Sequence, residues 1–278
     1  MTTKTYTATH SSSRWADITS PAGTVNVTVD PALQYAQITI STSAESGPYA
    51  DAVRDTTIRE TPGRQQDVIA VEVPEVPGQT MRMGGAVFTG ANFGVVNTGT
   101  INGTVISNGD LYMGGHRIVS NGRVVAQAGT VVSGPAADNH ITVDVRLPRD
   151  SSLRLTTTSA DLAVNGALTV LTAESVSGDI NARAVHTLDV QTTSGDVTVD
   201  WVQARLDARS VSGDVLIGAY SGSDFRANST SGDITVSATP DAVDRLEATT
   251  VSGDITLRGL NDRLTPRTRT VSGDISRR

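Results

Sequence analysis

The stretch Ser177-Gly178-Asp179-Ile180 recurs along the second half of the chain as Ser194-Gly195-Asp196-Val197, Ser212-Gly213-Asp214-Val215, Ser231-Gly232-Asp233-Ile234, Ser252-Gly253-Asp254-Ile255 and Ser272-Gly273-Asp274-Ile275. The glycines are spaced by 17, 18, 19, 21 and 20 residues. A degraded copy, Ser159-Ala160-Asp161-Leu162, puts Ala160 18 residues before Gly178. Self-similarity at a fixed short period marks a repeat architecture, in which each unit covers the apolar face of the next.

The flanks repeat too. Upstream, Leu171-Thr172-Ala173, Leu188-Asp189-Val190, Leu206-Asp207-Ala208, Phe225-Arg226-Ala227 and Leu246-Glu247-Ala248 each place two apolar residues at period two. Downstream, Val197-Thr198-Val199, Val215-Leu216-Ile217, Ile234-Thr235-Val236 and Ile255-Thr256-Leu257 do the same. Period two is the half-buried strand pattern, so each unit is two short strands. Leu188 and Val190 are even-numbered while Val197 and Val199 are odd, and a flat strand would expose one set. The chain must turn at Ser-Gly-Asp, where glycine accommodates φ > 0 and short polar Ser and Asp bond nearby backbone. The variable spacing falls on the other connection, as in Ser237 to Arg245 and Arg258 to Arg267. Stacking such units predicts an all-β fold, a β-solenoid, with Ile180, Val197, Val215, Ile234 and Ile255 in one inward column. An antiparallel meander in a sandwich is the alternative, but it gives no reason for the same residue types to recur at the same place.

The N-terminal part carries weaker versions of the unit. Ser20-Pro21-Ala22-Gly23-Thr24-Val25 matches the motif loosely, and Gln37 to Ile40 and Val68 to Val73 are further strand candidates. Residues 1–83 are expected to form a β region of degenerate repeats, with Ala44 to Arg64 least defined. Residues 84–134 are glycine-rich, with Asn-Gly at Asn102, Asn108 and Asn121. Asn-Gly between β-branched runs signals hairpins, most clearly His116–Ser120 with Arg123–Gln127. This segment reads as a β-hairpin insertion ahead of a repeat domain over 135–278. Gly94 to Thr100 has the look of a phosphate loop but lacks the lysine and a following helix.

From Ile141-Thr142-Val143-Asp144-Val145-Arg146-Leu147, through a Pro148 turn and Ser152-Leu153-Arg154-Leu155, into the serial Ser-Gly-Asp units, the chain resembles the bacterial "putative-adhesin" family of β-strand-repeat proteins, a domain of unknown function. The resemblance covers residues 141–278. It implies a β-solenoid-like fold, no established catalytic residues and an adhesin-like surface role as one expectation.

Composition narrows function further. Lys4 is the only lysine, and aspartate outnumbers glutamate 23 to 6, which disfavours long exposed helices because Asp prefers caps and turns. A net charge of −7 argues against nucleic acid as a partner. The C-terminal arginines Arg258, Arg263, Arg267, Arg269, Arg277 and Arg278 alternate with Asp254, Asp262 and Asp274, as on a solvated mixed-charge surface. With no cysteine there is neither a disulfide framework nor a thiolate site. Met1 to Ala8 holds no apolar signal region, and no apolar run approaches the ~18 residues of a membrane helix, so a cytoplasmic location is expected, with the cell surface as alternative.

Stacking would align Asp179, Asp196, Asp214, Asp233, Asp254 and Asp274 about 4.8 Å apart along one corner. Carboxylates so placed repel by about 1 kcal/mol in water. Each Asp is expected to offset this by accepting backbone N–H bonds from its own turn. The six are also the candidates for Ca²⁺, although the Gly-Gly-x-Gly-x-Asp pattern of calcium-binding solenoids is missing. His10, His116, His140 and His186 show no metal-ligand spacing, and no catalytic or cofactor motif is found. The expected role is a non-catalytic interaction or scaffold protein, without cofactor or resident metal, that binds a protein partner or self-associates through the solenoid ends. The alternatives are an adhesin-like binder of a glycan or polymer, and a carbohydrate-active β-helix enzyme with irregularly placed acids.

Overall fold

The computed structural model describes residues 1–10, 14–63, 66–76 and 140–278, and within 77–139 the strands alone. The N-terminal elements are β1 (Thr2–Thr7), β2 (Arg14–Thr19), β3 (Thr24–Val29), β4 (Gln37–Thr42), α1 (Pro48–Asp55), β5 (Thr57–Thr61) and β6 (Asp67–Glu72). Then come β7 (Met81–Met83), β8 (Ala86–Phe88), β9 (Thr100–Ile101), β10 (Thr104–Ser107), β11 (Asp110–Met113), β12 (His116–Ser120) and β13 (Arg123–Val124). The rest comprises β14 (Ile141–Leu147), β15 (Ser152–Thr156), β16 (Asp161–Ser175), β17 (Ile180–Thr192), β18 (Val197–Arg209), β19 (Val215–Tyr220), β20 (Asp224–Asn228), β21 (Ile234–Ala238), β22 (Asp244–Thr249), β23 (Ile255–Arg258), β24 (Leu264–Arg269) and β25 (Ile275–Arg277).

The fold is a β-solenoid of two parallel ladders. Strand segments that follow the Ser-Gly-Asp turn form sheet I, in the order β3, β16, β17, β18, β19, β21, β23, β25. Segments that precede the turn form sheet II, in the order β2, β15, β16, β17, β18, β20, β22, β24. One rung is a sheet II segment, the turn and a sheet I segment. The predicted inward column is present: Ile180, Val197, Val215, Ile234 and Ile255 stand in successive register and are all buried. It extends back through Leu162 and Val25 to Val143. Sheet II supplies Leu153, Leu171, Leu188, Leu206, Phe225 and Leu246 in the same way. Burying each such side chain is worth roughly 1.5–3 kcal/mol.

The N-terminal residues do not form a separate region. The compact units are Met1–Glu75 with His140–Arg278, and Val76–Asn139. Physically, β2 and β3 are a rung of the solenoid itself: β2 lies between β6 and β15, and β3 between β14 and β16. The loose motif match Ser20 to Thr24 makes that rung's turn, with Thr24 in register with Asp161. β6 and β14 complete the neighbouring rung. That end is covered by antiparallel strands, β4 on β14, β1 on β4 and β5 on β6. The ill-defined stretch Ala44 to Arg64 holds α1, with proline at its start and Ala50, Ala52 and Val53 buried, and then β5.

In the second unit, β9 with β10, β10 with β11 and β12 with β13 pair antiparallel across the three Asn-Gly positions. The Asn-Gly pairs themselves, and Gly94 to Gly99, lie outside the described residues.

Candidate functional site

The repeated turn is the densest polar feature of the solenoid, and each of its positions has a defined bond. Three residues before four of the glycines, a buried Ser or Thr hydroxyl accepts the glycine N–H: Ser175 from Gly178 at 2.9 Å, Thr192 from Gly195 at 3.1 Å, Ser210 from Gly213 at 2.8 Å and Ser229 from Gly232 at 2.9 Å. In the last two rungs the equivalent Thr250 and Thr270 hydroxyls donate to the preceding rung's glycine carbonyls, Gly232 at 3.2 Å and Gly253 at 3.1 Å. The motif serine bonds between rungs, its hydroxyl donating to a carbonyl one rung back, as Ser177 to Thr158 at 3.2 Å and Ser194 to Val176 at 3.1 Å.

The glycines are needed for a reason other than the expected one. Among the described residues, positive φ at glycine is found at Gly23, Gly47, Gly166 and Gly259; Gly23 takes the turn of the loose copy, and none of the six Ser-Gly-Asp glycines is among them. What demands glycine is close approach. A Cβ on Gly195 would sit 2.1 Å from the Gly178 carbonyl oxygen, one on Gly213 2.0 Å from that of Gly195, and one on Gly232 2.1 Å from that of Gly213. The rungs stack glycine on glycine with no room for a methyl.

The aspartates form the predicted line, but they bond differently. Each Oδ1 accepts the N–H of the Asp in the following rung: Asp161 from Asp179, then Asp179 from Asp196, Asp196 from Asp214, Asp214 from Asp233, Asp233 from Asp254 and Asp254 from Asp274, at 2.8–3.0 Å. The bonds are to backbone, as expected, yet come from the next turn instead of the Asp's own. A charge-assisted N–H···O⁻ bond at every step offsets the repulsion along the line. The carboxylates are exposed, and one oxygen of each acceptor serves the ladder.

A second cluster, which sequence spacing did not reveal, lies inside the covered end. Arg14 at the start of β2 is fully buried, and its Nη1 bonds Glu60 on β5 and, at 3.2 Å, Asp67 on β6. Glu60 Oε2 also accepts from the Tyr6 hydroxyl at 2.7 Å, the Thr9 N–H at 3.1 Å and the Thr9 hydroxyl at 2.8 Å. Burial pushes the Glu60 carboxyl up, but these bonds and the Arg14 guanidinium outweigh it and hold its pKa at about 2. Burial and the neighbouring Glu60 raise the Tyr6 pKa. Among the described residues, His10, Glu60 and Asp67 are the group whose ligand atoms come within 4.8 Å of one another. Arg14 bridges its two carboxylates, so the cluster is an ion-pair network of half-buried acids on a buried guanidinium and not a cation site. The sole advance signal was Arg14 itself, a charge at an inward position of an alternating strand.

Of the other chemistry-bearing residues, Tyr220 and Phe225 are core, with ring centroids 5.1 Å apart edge to face. Trp201 is exposed, its indole N–H held by the Ser221 hydroxyl at 3.0 Å. His186 is exposed and apart from the ladder. Among the described residues no helix is long and apolar enough to cross a membrane.

Parallel rungs, a glycine column and a carboxylate-to-backbone ladder define a β-solenoid whose repeated geometry is carried by one corner. The chain belongs to the Toastrack DUF4097 family, whose sequence pattern matches residues 116–278. Three solved structures are similar along nearly the whole chain. A "putative adhesin" from Bacteroides fragilis is 14% identical over 99% of this chain and 97% of its own, with a TM-score of 0.46. A "putative adhesin" from Parabacteroides merdae is 13% identical over 100% and 96%, with 0.45. A "putative lipid binding protein" from Parabacteroides distasonis is 12% identical over 99% and 96%, with 0.43. The curated proteins include none that matches this chain.

Proposed function

We propose that the chain is a non-catalytic interaction module, a β-solenoid that offers repeated surface positions to a partner. The observation that supports this best is the aspartate ladder. The residues with the greatest capacity for acid–base or metal chemistry are spread evenly, one per rung, and each acceptor oxygen is bound to backbone. A catalytic site needs an irregular cluster with differently tuned acids, and the one acid with a strongly displaced pKa among the described residues, Glu60, is locked to the buried Arg14.

The partner in this reading is a protein surface, including a second copy joined through the outer edge of the rung β24–β25. On that edge β25 is the more open side. The carbonyls of Arg263 and Arg269 accept from the β22 side, so alternation turns the backbone of Leu264, Pro266 and Thr268 outward, and proline presents no N–H there. Negative-stain electron microscopy with light scattering over rising concentration tests the module: rods, filaments or a mass that grows with concentration support it. A strictly monomeric particle that hydrolyses a polysaccharide would replace it with the enzyme reading. Cell fractionation decides between the cytoplasmic and surface settings.

A further inference from the structure

Sheet II carries a second regular feature beside the turn. In successive rungs Thr156, Glu174 and Gln191 face outward at the strand ends, and two residues later Thr158, Val176 and Thr193 stand exposed on the turn. Between these columns runs an open groove of about 480 Å³, with Glu75 also lining it. Because its walls are columns across rungs, the groove follows the solenoid axis at about 4.8 Å per rung, perpendicular to the strands. Its long dimension suits a linear chain.

The lining selects the chain's chemistry. It offers threonine hydroxyls, one amide and the carboxylates of Glu75 and Glu174, with no cation among its described lining residues. Backbone along the floor is already paired between rungs: Thr157 N–H to the Glu174 carbonyl, Ser177 N–H to that of Thr158 and Ser194 N–H to that of Val176, each at 2.9 Å. A peptide strand therefore finds no free main-chain edge to extend. The acids disfavour an anionic polymer, whereas sugar hydroxyls can donate to carboxylate, amide and hydroxyl oxygens. The methyl groups of Val176, Thr158 and Thr193 give the C–H faces of sugar rings an apolar wall. We propose that this groove binds a linear saccharide free of acidic groups, an assignment that rests on the interaction-module reading and names the ligand class for one of its surfaces.

The test is binding of the full chain to immobilised cello-, chito- and β-1,3-gluco-oligosaccharides, to chitosan oligomers, and to hyaluronan oligomers as the acidic arm. Expected is retention of at least one neutral or amino-bearing probe and none of hyaluronan. Glu174→Gln and Thr156→Arg should each weaken the retained probe at least tenfold, and Thr265→Arg, on the same face several rungs away, should leave it unchanged. Melting temperatures within a few degrees of wild type establish that the variants fold. The assignment is overturned if no neutral or amino probe binds, if hyaluronan binds equally well, or if the groove variants bind as wild type does. Self-association seen by light scattering would then leave the interaction module standing without a saccharide, whereas a turnover of the probes would remove both.

Discussion

The two corners of the solenoid solve the same problem by opposite means. At the Ser-Gly-Asp corner every rung reverses in the same number of residues, with glycine pressed on glycine and each Asp bonded to the next. At the opposite corner β16, β17 and β18 run through as continuous strands with register shifts, while later rungs break into pairs separated by Ser221–Ser223, Thr239–Val243 and Gly259–Arg263. Glycine is used there as well, at Gly222 and Gly259, where a Cβ would meet the Ala204 and Ala238 carbonyl oxygens at 1.9 and 2.2 Å, but each lies on alanine and not in a column of glycines. A contact repeated between neighbours fixes length, because a change in one rung must be matched in two others. A corner held by local contacts absorbs change, which is where the spacing between 17 and 21 residues comes from.

The largest effect should follow from breaking the invariant corner. Gly213→Val puts side-chain atoms where even a Cβ lies 2.0 Å from backbone. Neighbouring rungs would have to separate, at a cost on the order of 4 kcal/mol or more. Thermal denaturation should show the variant unfolded or melting far below wild type. Gly218→Ala, whose Cβ would lie 2.9 Å from the Asp200 carbonyl oxygen, should lose much less.

These particulars show where the sequence was legible. Inward columns could be read because alternation and repeat spacing state directly which residues superpose. The aspartate line was legible for the same reason, but its bonding was not: whether an Oδ1 reaches its own turn or the next depends on a shift of a few ångströms that no residue type encodes. Glycine carries the same ambiguity, since tolerance of φ > 0 and tolerance of close stacking demand the same side chain. The placement of β2 and β3 between β6/β14 and β15/β16 is a matter of threading, invisible to local pattern. Arg14 and Glu60 are 46 residues apart and share no motif, so only the folded chain brings them together.

The covered end provides the next contrast, since a charge network holds it in place of a ladder. Glu60→Gln leaves the buried Arg14 with Asp67 as its remaining acid partner, and loss of one member of such a pair costs about 3 kcal/mol near neutral pH. The folded pKa of Glu60 is about 2 against an ordinary 4.5, a depression. Its contribution is therefore complete above about pH 4.5 and disappears as pH falls toward 2. Wild-type melting temperature should drop across that window. The Gln variant should start lower and lack that part of the acid dependence; a parallel curve would separate Glu60 from the acid response.

A single ladder step should matter less. Asp214→Ala removes the acceptor for the Asp233 N–H, worth about 1–2 kcal/mol for a charge-assisted bond. Asp214→Asn keeps an acceptor oxygen while removing one charge from a line of like charges, and should recover most of that loss. If Asn were as damaging as Ala, the charge and not the bond would be the stabilising element. Calcium and EDTA should then also give different melting temperatures, because a bound cation would be what the charge holds.

The smallest effect should come from lengthening the variable corner. Two residues, Gly-Ser, inserted after Asp241 extend the five-residue loop Thr239–Val243, and loop closure scales so slowly that the entropic cost is about 0.3 kcal/mol. Asn261 tempers this, because its side-chain amide donates to the Ala242 carbonyl at 3.1 Å and ties the loop to the next one. The same Gly-Ser placed between Ser212 and Gly213 changes no local chemistry, yet it displaces Gly213 from Gly195 and Asp214 from Asp196 and Asp233 at once. Denaturant unfolding of the two insertions therefore compares the corners directly: near-wild-type stability for the first and loss of cooperative folding for the second. Equal losses would mean that the opposite corner is as tightly specified as the glycine column, and that its length variation reflects compensation elsewhere in the rung.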